Sequence, residues 1–314
     1  MQEQSPKERV LVILGPTATG KSHCAIEIAK KFHGEIISGD SMLVYRDMNI
    51  GTAKPTAAEL AAVPHHLVNI LPPEASFSVV DFKEQAQRLI TEINQRGHLP
   101  IIAGGTGLYI KALLEDYAFN SVSEDNELRQ RLTMEAQEQG PEALHERLAE
   151  LDSEAAERIH PHNVRRVVRA LEAALNGEQV NQYGASESPY DALVVGLEME
   201  RGALYERINR RVDIMLEQGL EQEVRELLSR GLSPHCQSMQ SIGYRQMVWY
   251  LQGTMDYEQA VEKLKQATRN FAKRQITWYK KMPYIKWLKL ASTPDYTNVV
   301  ERICEMLVEK EISL

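Results

Sequence analysis

The sequence predicts an α/β fold, a parallel sheet core that carries a helical insertion. Three observations predict it. A short apolar run leads through a glycine-rich loop into an amphipathic helix, two further buried-strand patterns end in small or glycine residues, and the middle of the chain shifts to a helix-favouring composition. With 314 residues there is room for two domains, or for one core with a large insertion. A 43% hydrophobic share with 25% charged residues is ordinary for a globular protein and sets aside the disordered and fibrous classes. No apolar run approaches the ~18 residues of a membrane span, and the N-terminal MQEQSPKER has no hydrophobic block behind its charges, so a cytoplasmic location is expected. Cys24, Cys236 and Cys304 have neither paired nor metal-ligand spacing. They read as small apolar residues in a reducing compartment rather than a disulfide framework or a zinc site.

The first strand is read at residues 10–14, and GPTATGKS follows it: Gly15, Pro16, Thr17, Ala18, Thr19, Gly20, Lys21 and Ser22. This fits G-x-x-x-x-G-K-[ST], in which backbone N–H groups wrap phosphate oxygens, the lysine adds a point charge and the hydroxyl can hold a magnesium ion. A helix over residues 21–32, with Ala25, Ile28 and Ala29 on one face, adds the partial positive charge of its first turn. The core therefore reads as P-loop NTPase-like, with a di- or triphosphate in the loop and ATP or another nucleotide as the usual occupant.

A second buried strand, residues 35–38, delivers Gly39, Asp40 and Ser41 to a strand end, which is where open parallel sheets place ligands. Residues 45–54 are polar and rich in turn formers, and residues 64–70 read as an edge strand. The spacing of Phe82, Ala86, Leu89, Ile90 and Ile93 predicts a helix over 79–96, closed by Gly97. The third strand, 99–103, runs into Gly104, Gly105, Thr106 and Gly107. These glycines admit either close approach of a ligand to the backbone or a tight turn into a helix over 108–114. This strand lacks the acidic residue that a nucleoside triphosphatase usually places there as a magnesium handle, and only Asp40 is available nearby. A small-molecule kinase built on the same loop stays open at this level.

The predicted division is a core over residues 1–120, a helical insertion over 121–190, and core completion with basic helices over 191–314. Within the insertion, Leu128, Leu132, Leu144, Leu148, Val167, Val168, Leu171 and Leu175 recur at helical spacing, while Arg165, Arg166 and Arg169 gather on adjoining turns. A strand at 193–197 returns the chain to the sheet. The following helix turns Leu204, Ile208, Val212 and Met215 inward and leaves Arg207, Arg210 and Arg211 for anions. The remainder reads as helical, with Tyr244, Trp249, Trp278 and Tyr279 available for packing or base stacking. Net charge is −8, yet residues 263–290 hold Lys263, Lys265, Arg269, Lys273, Arg274, Lys280, Lys281, Lys286 and Lys289 with no acid among them. Such a segment fits either a polyanion footprint or a solvated helix face.

Taken together, GPTATGKS, SGDSMLVYRDMNIGTAKP, VPHHL, FSVVDF, AGGTGLYIKAL, RIHPHNVRRVVRALE, RINRRVDIML, QSIGYRQM and KRQITWYKK, collinear over residues 10–287, resemble the tRNA dimethylallyltransferases of the bacterial type. Departures are small: Ala103 stands where valine is frequent, and both ends match poorly. The resemblance implies transfer of the dimethylallyl group of dimethylallyl diphosphate to the exocyclic amine of the adenosine 3′ of the anticodon in tRNA, by a monomer using Mg2+. It implies a diphosphate in the loop, held by Lys21, by a magnesium ion on Ser22, and by Arg211 with Arg207 as second candidate. Asp40 is then the general base and Thr106 helps hold Asp40 or the adenine. The implied tRNA contacts are Asp40, Ser41, Met42, Leu43, Thr106, Arg165, Arg166, Arg169, Gln240, Ser241, Gly243, Tyr244, Arg245, Lys273, Arg274, Gln275 and Lys280.

Overall fold

The computed structural model describes residues 6–117, 119, 125–177 and 188–310. They fall into two compact units, one of residues 1–116 with 187–314 and one of residues 117–186. In chain order the first unit begins with β1 (Glu8–Leu14), α1 (Lys21–Lys31), β2 (Gly34–Ser38), α2 (Ala57–Ala62), β3 (His65–His66), α3 (Val79–Gln95), β4 (Leu99–Gly104) and α4 (Gly107–Leu114). The second unit supplies α5 (Asn126–Gln139), α6 (Pro141–Leu151), α7 (Ser153–Arg158) and α8 (Val164–Leu175). The first unit resumes with β5 (Tyr190–Met199), α9 (Arg201–Glu217), α10 (Leu220–Ser229), α11 (Tyr244–Leu251), α12 (Tyr257–Tyr279), β6 (Lys286–Leu290) and α13 (Tyr296–Glu309).

The six strands form one sheet in the order β3-β2-β4-β1-β5-β6, and every pairing is parallel. Side chains of a strand alternate between the two faces of its sheet. Accordingly Val10, Val12, Leu14, Ile37, Ile102 and Val194 enter one core with Phe82, Ile90 and Ile110 of α3 and α4. Leu11, Ile13, Ile36, Ile101, Leu193 and Val195 enter the other, with Ala25 and Ile28 of α1 and Val300 and Ile303 of α13. Both faces are covered, which is why these strands read as unbroken apolar runs rather than as alternation. The second unit has its own core, centred on Leu132, Leu148, Val167 and Leu171. There the Glu172 carboxylate accepts hydrogen bonds from Asp125 N and Arg129 Nε at 3.0 Å each.

Several elements differ from the sequence reading. The expected strand over 64–70 is only His65–His66, because Leu67 and Asn69 take positive φ and turn the chain away. Ile70 and Leu71 then bond back to Val44 O instead of extending the ladder. β5 begins at Tyr190 rather than at 193, pairing from Glu8 opposite Tyr190 onward. The tail is not wholly helical: residues 230–243 form turns, and KWLKL pairs with β5 as an edge strand. Leu175 is exposed at the end of α8 rather than buried. Ser121, where the insertion is expected to start, lies outside the described residues.

The glycines after β4 admit protein rather than ligand. A Cβ on Gly104 would land on the Gly39 backbone, one on Gly105 on the Gln275 amide, and one on Gly107 within 3.0 Å of Trp278 Cβ. Their lack of side chains lets β2, β4 and α12 meet at one point. We predict that Gly104→Ala costs about 1–3 kcal/mol or more through overpacking against rigid backbone, read as a lower urea midpoint; an unchanged midpoint contradicts it.

Candidate active site

The C-terminal ends of β1, β2 and β4 bring the 15–22 loop, Asp40 and Thr106 together. Gly39 N donates to Ala103 O at 2.9 Å and Thr106 N donates to Gly39 O at 3.2 Å, which sets the two strand ends side by side. Ser41 N donates to Thr106 Oγ1 at 3.2 Å, and Met42 N donates to Asp40 Oδ1 at 2.8 Å. Thr106 thus fixes the segment that carries Asp40. One carboxylate oxygen of Asp40 is anchored and the other accepts no hydrogen bond among the described residues.

The loop holds its shape by internal bonds and by braces from later in the chain. Thr19 Oγ1 and Lys21 Nζ donate to Pro16 O at 2.8 and 2.9 Å. Gly20, at φ 86°, starts α1 in the left-handed region and lies flat against the Tyr296 ring. Arg207 Nε donates to Ala18 O at 2.9 Å and its Nη2 to Tyr296 Oη at 2.8 Å, while Tyr296 Oη donates to Thr19 O at 3.2 Å. From α12, Gln275 accepts from Thr17 N at 2.9 Å and donates to Gly105 O at 2.8 Å. Tyr279 Oη donates to Gly105 O at 2.9 Å with Gly15 O as its alternative acceptor at 3.2 Å.

Charge is left unbalanced at this corner. Burial, then the neighbouring Arg211, pushes the Lys21 ammonium down to about 7, against a smaller opposing pull from Asp40. Burial also lowers Arg211, again opposed by Asp40. Arg211 makes no hydrogen bond among the described residues, whereas Arg207 is committed to the loop backbone and Tyr296. Of the two arginines, Arg211 is therefore the one left for an anion. Ser22 is exposed at the first turn of α1 and also forms no hydrogen bond. Among the described residues no cluster of three or more His, Cys, Asp or Glu could hold a metal. The Ser22 hydroxyl is the loop group that would hold a magnesium ion whose other ligands come from phosphate and water.

The remaining expected contact residues divide by exposure. Lys273 and Arg274 on α12 and Lys280 just after it are exposed, and Arg165, Arg166 and Arg169 are exposed on α8 of the other unit. Ser41, Met42 and Leu43 are half-buried beside Asp40. Gln240 is exposed and donates to Pro234 O, Ser241 Oγ donates to Ser238 O, and Gly243 is buried at φ 99°. Arg245 lies over the Trp249 ring at 5.3 Å with its Nε buried and unpartnered. Two of the expected tRNA contacts, Tyr244 and Gln275, are instead buried, with their polar atoms committed to Glu223 and to Gly105 and Thr17, and Tyr279, readable for packing or base stacking, is buried on Gly105. They serve packing and bracing, not base stacking. The basic run is also partly neutralised, because Lys265 pairs with Asp213 at 2.6 Å and Arg269 with Glu262 at 2.9 Å. Tyr296 and Glu223 were missed, since their partners lie 89 to 277 and 21 to 174 residues away, where no local pattern reaches.

A family model described as IPP transferase matches residues 43–282. The chain belongs to the IPP transferase family. IPP transferases similar to it include the tRNA dimethylallyltransferase of Pelotomaculum thermopropionicum, 47% identical with 96% of this chain and 98% of that protein covered. The tRNA dimethylallyltransferase of Bacillus cytotoxicus is 48% identical, with 96% of each chain covered. Among solved structures, the tRNA isopentenylpyrophosphate transferase of Bacillus halodurans superposes with TM-score 0.73 at 44% identity, over 97% of this chain and 98% of that one. A eukaryotic dimethylallyltransferase acting on tRNA superposes with TM-score 0.77 at 28% identity, over 96% of this chain and 80% of that one. An IPP transferase fold of this kind is the P-loop α/β architecture expected from the sequence.

An anion in the loop sets the sign of a pH effect. Free Lys21 loses its proton near pH 7, and a bound diphosphate raises that value, so above pH 7 the complex holds more proton than the free protein. We predict that affinity for an alkyl diphosphate falls as pH rises from 7 to 9, and that calorimetry in two buffers at pH 8 reads uptake of nearly one proton. Lys21→Arg removes the uptake. Flat affinity over that range contradicts the assignment.

Proposed function

We propose that this chain is a tRNA dimethylallyltransferase. It transfers the dimethylallyl group from dimethylallyl diphosphate to the exocyclic N6 amine of the adenosine 3′ of the anticodon, and it does so in the cytoplasm. The observation that carries the proposal is the placement of Lys21 and Arg211, both short of counter-charge, beside Asp40. Such a corner suits a reaction in which an anion departs while a proton is removed.

As the allylic carbon–oxygen bond breaks, negative charge builds on the diphosphate. The loop N–H groups other than Thr17 N, which Gln275 already takes, would stabilise it together with Lys21 and Arg211, with little reorganisation at that moment. Magnesium, held by Ser22 and the diphosphate oxygens, would supply further charge stabilisation for the leaving group. The adenine amine is a poor nucleophile because its lone pair is delocalised into the ring. Its nitrogen forms the new bond to the allylic carbon, and Asp40 takes the proton that this nitrogen sheds. The Met42 N–H holds one Asp40 oxygen and leaves the other for that proton. The adenine has to leave the anticodon stack to reach it, as a base does for any enzyme that works on its edge.

The proposal predicts transfer of label from dimethylallyl diphosphate to an anticodon stem-loop, with release of diphosphate. Consumption of ATP by a small acceptor with no prenyl transfer contradicts it. For Asp40→Asn we expect turnover to fall by roughly a hundred- to ten-thousand-fold, with stem-loop and donor affinities within a fewfold of wild type. Turnover close to wild type would mean that another group removes the proton.

A further inference from the structure

The segment after Asp40 is held far more firmly than a polar, turn-rich loop needs to be. Residues 49–51 present three consecutive backbone N–H groups, and all three converge on the carboxylate of Glu223 in α10. Asn49 N and Ile50 N donate to Oε2 at 2.8 and 2.9 Å, and Gly51 N donates to Oε1 at 3.2 Å. Tyr244 Oη, at the start of α11, donates to the same Oε1. Burial and the adjacent Glu223 raise the Tyr244 phenol well above its ordinary range, so it stays a donor. Gly51 lies against the Tyr244 ring so closely that a Cβ there would collide with it. One carboxylate therefore ties the loop after Asp40 to the turn that precedes α11. Lys54 bonds Tyr45 O and Asn69 Oδ1, and Arg46 bonds Asn69 O and Ile70 O, bracing the same loop from its other side.

What the clasp holds in place is significant. On one side of it stands the Asp40 segment, and on the other the start of α11 with Arg245, whose Nε is buried over Trp249 with no hydrogen bond among the described residues. An arginine that lies over a tryptophan ring and makes no hydrogen bond among the described residues keeps its outer guanidinium nitrogens for an anion. We propose that Glu223 is a positioning residue for the RNA substrate: through Tyr244 and residues 49–51 it sets the distance between the base that removes the proton and the start of α11 that presents Arg245. Its role depends on the RNA substrate proposed above. Glu223 itself touches no reacting atom. It fixes two contact surfaces as one rigid unit, so that the RNA does not have to order them on binding.

The effect is specific to one substrate, because the clasp lies outside the hydrogen bonds that shape the 15–22 loop. The test measures binding of an anticodon stem-loop and of an alkyl diphosphate separately, for wild type, Glu223→Gln, Tyr244→Phe, and a control, Glu221→Gln, on the same helix. Glutamine at 223 replaces an acceptor oxygen with an amino group that faces other donors, and phenylalanine at 244 keeps the ring on Gly51 while removing the hydroxyl. We expect stem-loop Kd to rise tenfold or more in Glu223→Gln and by a smaller factor in Tyr244→Phe, with diphosphate Kd within twofold of wild type in both and Glu221→Gln unchanged. Steady-state KM for the stem-loop should rise in parallel, with KM for the donor unmoved. Stem-loop affinity within twofold of wild type in both variants overturns the proposal, and so does an equal loss of both affinities, which is the mark of general destabilisation. If the wild-type chain binds no stem-loop at all, the tRNA assignment itself falls, and the role of Glu223 with it.

Discussion

Two cations, Lys21 and Arg211, share one partly desolvated corner with a single carboxylate, Asp40. Burial depresses both cations, and Arg211 adds like-charge repulsion to Lys21. The corner is therefore short of negative charge before any ligand arrives, and a diphosphate relieves that shortage. Under the proposed reaction the same arrangement would favour the transition state over the ground state, since the anion would gain charge as the carbon–oxygen bond breaks.

Holding such a corner together requires support from outside it. The 15–22 loop has one residue other than glycine, Ala18, at positive φ, and it bonds to groups far along the chain. Gln275 and Tyr279 reach it from α12, and Arg207 with Tyr296 reach it from α9 and α13. These braces take up backbone groups that solvent would otherwise satisfy, and they leave the Arg211 guanidinium and the Ser22 hydroxyl without a hydrogen bond among the described residues, while Lys21 is held only by Pro16 O. The exposed side of α12 carries Lys273 and Arg274, with Lys280 just past its end, so one helix presents cations outward while its inner side braces the 15–22 loop. Compactness at the strand ends depends on Gly39, Gly104, Gly105 and Gly107, which have no side chains to hold β2, β4 and α12 apart.

Much of the architecture was legible because it is written locally. The phosphate loop is a contiguous motif, and the apolar runs of β1, β2 and β4 are bounded by glycine and polar residues, so strand, loop and helix could be placed from spacing alone. What escaped is non-local. The GGTG stretch reads either as room for a ligand or as a tight turn until Gln275 and Trp278 are seen against it. KWLKL is short and does not alternate cleanly, and only its pairing with β5 shows it as an edge strand rather than part of the helical tail. Tyr244 and Tyr279 can be read for packing or for base stacking, and only tertiary contacts show that they are buried. Lys265 and Arg269 belong to a run without acids, yet Asp213 comes from another helix and Glu262 lies just before the run begins. Charge read along a chain overstates what survives once helices dock.

The central claim, that the loop withholds charge balance until a diphosphate binds, is tested most directly by a nitrogen-detected NMR titration of the Lys21 ammonium in the free protein and with a saturating alkyl diphosphate. The account predicts a midpoint near pH 7 in the free protein and a shift of at least about two units upward in the complex. A midpoint close to that of an ordinary lysine in the free protein, unmoved by the ligand, would contradict it.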